Sequence, residues 1–336
     1  MIDLKIAASA ELNARSLVIT KGKKVLSTPT YFPAISGCGT KFTVEFLFNT
    51  ILRSSFPRVL VSAYDFSTME PKNLNKHIGE ISNSYRNGVF VFLDSGLFES
   101  FWANDKTWSF NLYKKFVKKV DSDFYSSFDH LPDHTKPNSD FLSTTLARIS
   151  DSMSVVPASY CLPIIHGSKP TDVIRNAVQV TKRFQKETSI IAVPERDCGA
   201  TLSERARTIL KLSKSIRKKD DSKALHILGC GNPVSIALYT YCGADSFDSL
   251  DWCSLALERN ELKLADLSQL EMFNCNCAAC AKDIKNPIHR VLLHNLLFYQ
   301  DFGLKLQEMI RHNTLKDFIQ AFVGQSVMGS ISDILS

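Results

Sequence analysis

Val89-Phe90-Val91-Phe92-Leu93-Asp94-Ser95-Gly96 is a run of five apolar residues that stops at an Asp-Ser-Gly turn signal. A run of this length, rich in β-branched and aromatic side chains, fits a strand buried on both faces. Working outward, seven more such runs recur: Thr30 to Ala34, Val59 to Ala63, Phe124 to Phe128, Tyr160 to Ile165, Ser189 to Val193, Leu225 to Gly229 and Asp245 to Asp248. Helix-like stretches fill intervals between them, at Thr43 to Leu52, Leu112 to Val120, Pro170 to Gln185, Leu202 to Lys214 and Pro233 to Tyr241. Eight alternating units predict an α/β fold of the (β/α)8 type, a TIM barrel over residues 29–255, with an open α/β sheet as the alternative. Ahead of it, Ser16 to Thr20 and Lys24 to Leu26 flank Lys21-Gly22-Lys23, which predicts an N-terminal β-hairpin within residues 1–28 capping the barrel's bottom. Residues 256–336 hold a cysteine cluster and an amphipathic tail from Asn286 to Phe322, expected to form a C-terminal zinc-binding subdomain with helices.

Composition sets broad limits. A chain of 336 residues, 44% hydrophobic and 22% charged, is large enough to bury a full core. The N-terminus carries no long apolar segment, and no run of about 18 apolar residues occurs, so a cytoplasmic protein without membrane contact is expected. The net charge of +6 permits a polyanionic partner without demanding one. Lys114-Lys115 with Lys118-Lys119, and Arg217-Lys218-Lys219, read as solvated helix faces.

Cys275, Cys277 and Cys280 form C-x-C-x2-C, a spacing that in a reducing compartment points to a metal, with zinc the leading ion. A tetrahedral site needs a fourth ligand. His294, on a helical segment able to fold back, is the first candidate, and His289 competes with it. Such a zinc is structural, which sends the search for chemistry elsewhere. The remaining cysteines, 38, 161, 198, 230, 242 and 253, stand singly and read as small core residues.

In a barrel of this kind the site forms at the C-terminal ends of the strands. Polar residues there include Asp94-Ser95-Gly96, Asp129-His130, His166-Gly167-Ser168 and Asp248-Ser249. One aspartate after a strand is usually a turn or cap residue. Three on one rim with a histidine suggest a site. Paired carboxylates at a glycosidic carbon let one attack while the other handles the proton, so exchange at an N- or O-glycosidic bond is expected.

These residues also carry a resemblance. Asp94-Ser95-Gly96-Leu97-Phe98 resembles the D-S-G-G-F-Q or D-S-G-G-Y-Q segment of the tRNA-guanine transglycosylase superfamily, and Phe128-Asp129 its F-D-E. Ile165-His166-Gly167-Ser168 is similar to V-Q-G-G or V-Q-G-S, Gly229 to Pro233 to G-x-G-x-P, and Gly243 to Asp248 to G-x-D-x-F-D. Cys275, Cys277, Cys280 and His294-Asn295 match its zinc motif. The resemblance implies that Asp248 attacks the anomeric carbon and displaces guanine, while Asp94 moves the proton and deprotonates an incoming 7-deazaguanine. It further implies that Phe98 stacks on the base, that Asp129 accepts from its amide and amino edge, and that Ser95, His166 and Gly167 line the base site. A homodimer is expected on the same ground.

Departures bear on the substrate. Leu97 and Glu99 stand where the family has Gly and Gln, His166 replaces a base-reading Gln, and the Gly-Gly-Leu of strand six is replaced by Pro194-Glu195-Arg196. Asp248 is followed by Ser249-Leu250-Asp251-Trp252-Cys253, not by the arginines that read an anticodon loop. These segments look more like the DpdA-type branch, which implies DNA as the strand and 7-cyano-7-deazaguanine as the incoming base, with partner proteins to open a duplex. The alternatives are a tRNA-guanine transglycosylase acting on tRNA, and a noncatalytic, zinc-structured subunit that binds nucleic acid. A metal-dependent barrel hydrolase would need ligands at the strand ends, and no His-x-His pair follows the first strand.

Overall fold

Residues 2–132, 138–218, 220–273, 275–282 and 284–335 are described by the structure, a computed structural model; Lys219 of the basic run lies outside them. Thirteen strands are present among these residues. They are β1 (Ile2–Ser9), β2 (Arg15–Lys21), β3 (Lys24–Ser27), β4 (Thr30–Ile35), β5 (Arg58–Ser62), β6 (Phe90–Asp94), β7 (Phe124–Ser126), β8 (Cys161–Leu162), β9 (Ile190–Pro194), β10 (Ala224–Leu228), β11 (Ser246–Ser249), β12 (Leu255–Glu258) and β13 (Lys263–Asp266). Strands β4 to β11 form one eight-stranded sheet in the order β8-β7-β6-β5-β4-β11-β10-β9, every pairing parallel. A parallel bridge from Ile164 to Ala192 joins the two ends, so the sheet closes as a barrel. Each of the eight predicted runs overlaps one of its strands. The fifth run yields only two ladder residues because Pro163, which has no N–H to donate, interrupts it.

Pleating sorts the side chains into two sets. Even-numbered residues point inward along every barrel strand: Phe32, Leu60, Phe90, Phe92, Phe124, Leu162, Ile190, Ala192 and Ala224 share one buried interior cluster. Odd-numbered ones, such as Tyr31, Val61, Val91, Leu93, Ile191 and Phe247, pack in the other cluster, against the surrounding helices. Phe32 and Phe92 meet edge to face at 6.3 Å, as do Phe92 and Phe124. Leu17, Ile19 and Leu26 belong to the same interior cluster, so the N-terminal sheet plugs one end of the barrel.

That sheet holds the expected hairpin, with Lys21 opposite Lys24 and Gly22 at φ +61° in the turn. It also holds β1, antiparallel to β2 with a register irregularity between Ile6 and Ala8, which the sequence reading did not anticipate. As an edge strand, β1 buries little beyond Ile2, so its apolar alternation is weak.

Helix boundaries follow local chemistry. The Thr43 side chain accepts from Phe46 N ahead of the helix Val44–Ser54, and Asn232 accepts from Val234 and Ser235 N ahead of Pro233–Tyr241. Asn286 does the same for the 26-residue helix Pro287–His312. No helix among the described residues is long and apolar enough to cross a membrane.

Two buried carboxylates bolt the plug to the barrel. Asp245, fully buried, accepts from Arg15 Nε at 2.9 Å, from Arg217 at 2.6 Å and from Leu225 N at 2.7 Å. Asp123 accepts from Lys24 Nζ and Val91 N, both at 2.9 Å. Removing one partner of such a group leaves uncompensated charge in a dry place. Asp245→Ala is therefore expected to destabilise the protein by about 3–5 kcal/mol in chemical denaturation, because it strands the guanidiniums of Arg15 and Arg217.

Candidate active site

The open end of the barrel is a cavity of about 350 Å³ at the C-terminal strand ends, lined by Asp94, Ser95, Phe98, Glu99, Asp129, His166, Glu195, Arg196 and Asp248, among others. The inward parity of β6 and β11 brings Asp94 and Asp248 to this one space. Gly96 makes the sharp exit from β6: its φ is +79°, and a Cβ there would collide with Tyr64.

Asp248 is held on one oxygen. His226 Nε2 donates to Oδ1 at 3.0 Å and Gly229 N approaches the same atom at 3.4 Å, while His226 Nδ1 meets Ser246 Oγ at 2.8 Å. Both contacts fall on Oδ1, so Oδ2 makes neither of them. His226 went unnoticed in the sequence because it sits inside the apolar run Leu225 to Leu228; only its even, inward position gives it away.

Asp94 accepts from Gly96 N at 2.9 Å. Burial, then the negative charges of Asp129 and Asp248, push its carboxyl up to about 7 against that hydrogen bond. Glu99, also on the cavity wall, is pushed to about 8 by burial and by Asp94 and Asp65, and its Oε2 has no hydrogen-bond partner. A carboxyl in that state is a proton carrier or a donor.

On the opposite side a different balance holds. Ser95 Oγ donates to Asp129 Oδ1 at 2.8 Å, and His166 Nε2 donates to Asp129 Oδ2 at 2.9 Å. His166 Nδ1 donates to Asp197 Oδ2 at 2.8 Å. Burial works against charge on this imidazole, but the hydrogen bonds to Asp129 and then Asp197 outweigh it and raise it to about 9. Both ring nitrogens are thus committed to carboxylates, and His166 orients Asp129 instead of offering a free edge to a base. His130 packs instead against Phe141, with centroids 4.4 Å apart and the rings tilted by 39°.

Of the residues singled out from sequence, Asp94, Ser95, Phe98, Asp129, His166 and Asp248 line the cavity. Gly167 does not. A Cβ on it would collide with Val173 N, so this glycine serves the close packing of the helix Pro170–Arg183. Glu195 and Arg196, noted only as a departure, are cavity residues, and Glu195 accepts from Tyr239 Oη at 2.8 Å.

Beside the barrel, one ligand atom from each of Cys275, Cys277, Cys280 and His294 lies within 4.8 Å of the others. The three sulfurs stand 3.5, 3.4 and 3.3 Å from His294 Nδ1. Tetrahedral metal–sulfur and metal–nitrogen bonds of about 2.3 and 2.0 Å require a separation of about 3.5 Å, so the four fit one metal ion. His294 Nε2 donates to Leu257 O at 2.7 Å, which turns the Nδ1 lone pair toward the cysteines. His289, the competing ligand, instead stacks on Phe46 with centroids 4.8 Å apart.

The family model described as queuine tRNA-ribosyltransferase matches residues 11–327. The tRNA-guanine(15) transglycosylase of Nanoarchaeum equitans is 23% identical over 307 residues, covering 88% of this chain and 72% of that protein. That of Methanococcus aeolicus is 24% identical over 273 residues, 76% of this chain and 41% of its own length. That of Methanococcus vannielii is 26% identical over 298 residues, covering 83% and 44%. The chain therefore spans less than half the length of two of these relatives.

The buried carboxyl of Glu99 makes a pH prediction. Its folded value of about 8 lies above the ordinary 4.5, so the stability it contributes is full below pH 4.5 and is lost as pH rises to about 8. Glu99→Gln escapes that loss. Its thermal midpoint is expected to climb relative to wild type across this window and to level off above it; a difference independent of pH would show that Glu99 ionises without penalty.

Proposed function

Because the chain belongs to the queuine tRNA-ribosyltransferase family, we propose that it exchanges a guanine in a nucleic-acid strand for another base, through a covalent aspartyl-glycosyl intermediate. The observation that carries this reading is the pairing of Asp248, restrained through one oxygen, with Asp94, whose carboxyl is poised near 7. Asp248 attacks the anomeric carbon as the carbon–N9 bond breaks. The bond's electron pair leaves with guanine, and the Asp94 carboxyl supplies the proton. Asp94, now a carboxylate, takes the ring N–H proton of the incoming base, whose nitrogen then displaces Asp248 and restores both groups. A titrating group near neutrality suits a residue that must give a proton and take it back. Phe98 offers a ring face to the base, and Asp129, oriented by His166, accepts from the amide and amino edge of guanine. The target nucleotide must leave its stack to bring its sugar carbon to Asp248 within the barrel.

The strand is tRNA on the reading that the relatives support, since those named proteins are tRNA-guanine transglycosylases. DNA is the second reading, favoured by one observation. The segment after Asp248 turns into a short buried helix, Asp251–Ser254, in which Trp252 and Cys253 are fully buried and Trp252 Nε1 donates to Ala34 O at 2.8 Å. No basic side chain is available there to read an RNA loop. The incoming base is proposed to be a 7-deazaguanine. Cys275, Cys277, Cys280 and His294 are proposed to hold a structural zinc, which anchors the helix Pro287–His312 against β12.

Release of labelled guanine tests the reaction. With 7-cyano-7-deazaguanine supplied, label is expected to leave the substrate strand with wild type and to stay, at least about a hundredfold more slowly exchanged, with Asp248→Asn. Loss from tRNA only, or from DNA only, decides between the strands, and equal rates with Asp248→Asn would remove Asp248 as nucleophile. Metal analysis is expected to find about one zinc per chain, which Cys277→Ser abolishes with a lowered thermal midpoint.

A further inference from the structure

The short helix Leu97–Trp102 follows directly on Asp94, Ser95 and Gly96. It displays Phe98, Phe101 and Trp102 with 40%, 58% and 62% of their surface in solvent. No other Phe, Tyr or Trp among the described residues is as exposed. Phe98 also lines the cavity. Its ring meets Trp102 at 6.1 Å, and Trp102 meets Phe101 at 5.8 Å, both inclined steeply edge to face. The three rings thus run without a break from the cavity to solvent. At the cavity end the Arg196 guanidinium lies 5.8 Å from the Phe98 ring, and half of its side chain is exposed.

Surface aromatics of this size are kept out of water unless something covers them. Extracting one nucleotide from its stack leaves the neighbouring bases with a bare face each. An aromatic wall beside the cavity, with a cation next to it, suits those faces and the adjoining phosphate. Resting on the base-exchange reading above, we propose that Phe101 and Trp102, continuing from Phe98, are a stacking platform for the unpaired bases that flank the exchanged guanine in the substrate strand. Stacking does not depend on sequence, so this surface holds the strand in place while the cavity selects the base.

The chain carries its own reporter. Of its three tryptophans, Trp108 and Trp252 are 8% and 0% exposed, so solvent quenching reads Trp102. An RNA hairpin with guanine in its loop, a single-stranded DNA and a blunt DNA duplex would be titrated, following tryptophan fluorescence and, separately, anisotropy of an end label. A single strand, RNA or DNA, is expected to quench the fluorescence and to shield it from iodide at the concentration at which it binds, and the blunt duplex is not. Phe101→Ala/Trp102→Ala, which alters only exposed side chains, is expected to weaken single-strand binding about tenfold. Binding by anisotropy with Trp102 still open to iodide, or unchanged affinity in the double variant, would overturn the platform while leaving base exchange standing. Binding of no nucleic acid at all would remove both. A wild-type dimer in sedimentation that becomes monomeric in the double variant would assign the patch to a second copy of the chain and overturn the proposal.

Discussion

Closing eight parallel strands into a ring leaves one interior and makes the pleat decide what enters it. Once Phe32, Phe92 and Phe124 fill the barrel, every residue of the same parity further along each strand must face the same space. One end of that space is sealed by Leu17, Ile19 and Leu26 of the N-terminal sheet. At the other end Asp94, His166 and Asp248 share the inward set with Ala34, Ile164 and Leu228, and together they line a cavity. The site is thus the continuation of the core's own geometry past the point where hydrophobic packing stops.

Crowding carboxylates at that end raises a charge problem, which the structure resolves in three ways. Asp129 is neutralised by an imidazolium that Asp197 supports from behind. Asp248 is restrained by His226 and a backbone N–H on one oxygen. Among the described residues no cation pairs with Asp94 or Glu99, so burial and the neighbouring carboxylates lift both toward or past neutrality. The roles proposed for Asp129, Asp248 and Asp94, as acceptor, nucleophile and proton carrier, thus rest on three environments imposed on one kind of functional group. The same side chain at the far end of the barrel, in Asp245 and Asp123, meets paired basic residues and does structural work only.

The exposed rings of Phe101 and Trp102 stand outside this logic, since neither packing nor the proton balance needs them. They continue from Phe98 at the cavity wall, which is the position the proposed platform needs.

The eight barrel strands were legible because each apolar run is bounded by turn or cap residues, and the cysteine spacing marked a candidate metal cluster because thiolate triplets have few other uses. Local sequence also reached the two aspartates, as polar residues at strand ends. What it does not contain is distance. Whether His294 or His289 joins the cysteine cluster depends on which face of the helix Pro287–His312 meets it. Whether His166 is free to read a base depends on Asp197, thirty-one positions away, and the hold on Asp248 comes from a histidine on the neighbouring strand. Gly167, which looked like a site residue, answers to helix packing. Sequence by itself determined the elements and the chemical groups, because periodicity and turn chemistry act over a few residues. Only the tertiary structure decided partners and protonation, because burial and like-charge repulsion arise between strands that the chain brings together from far apart.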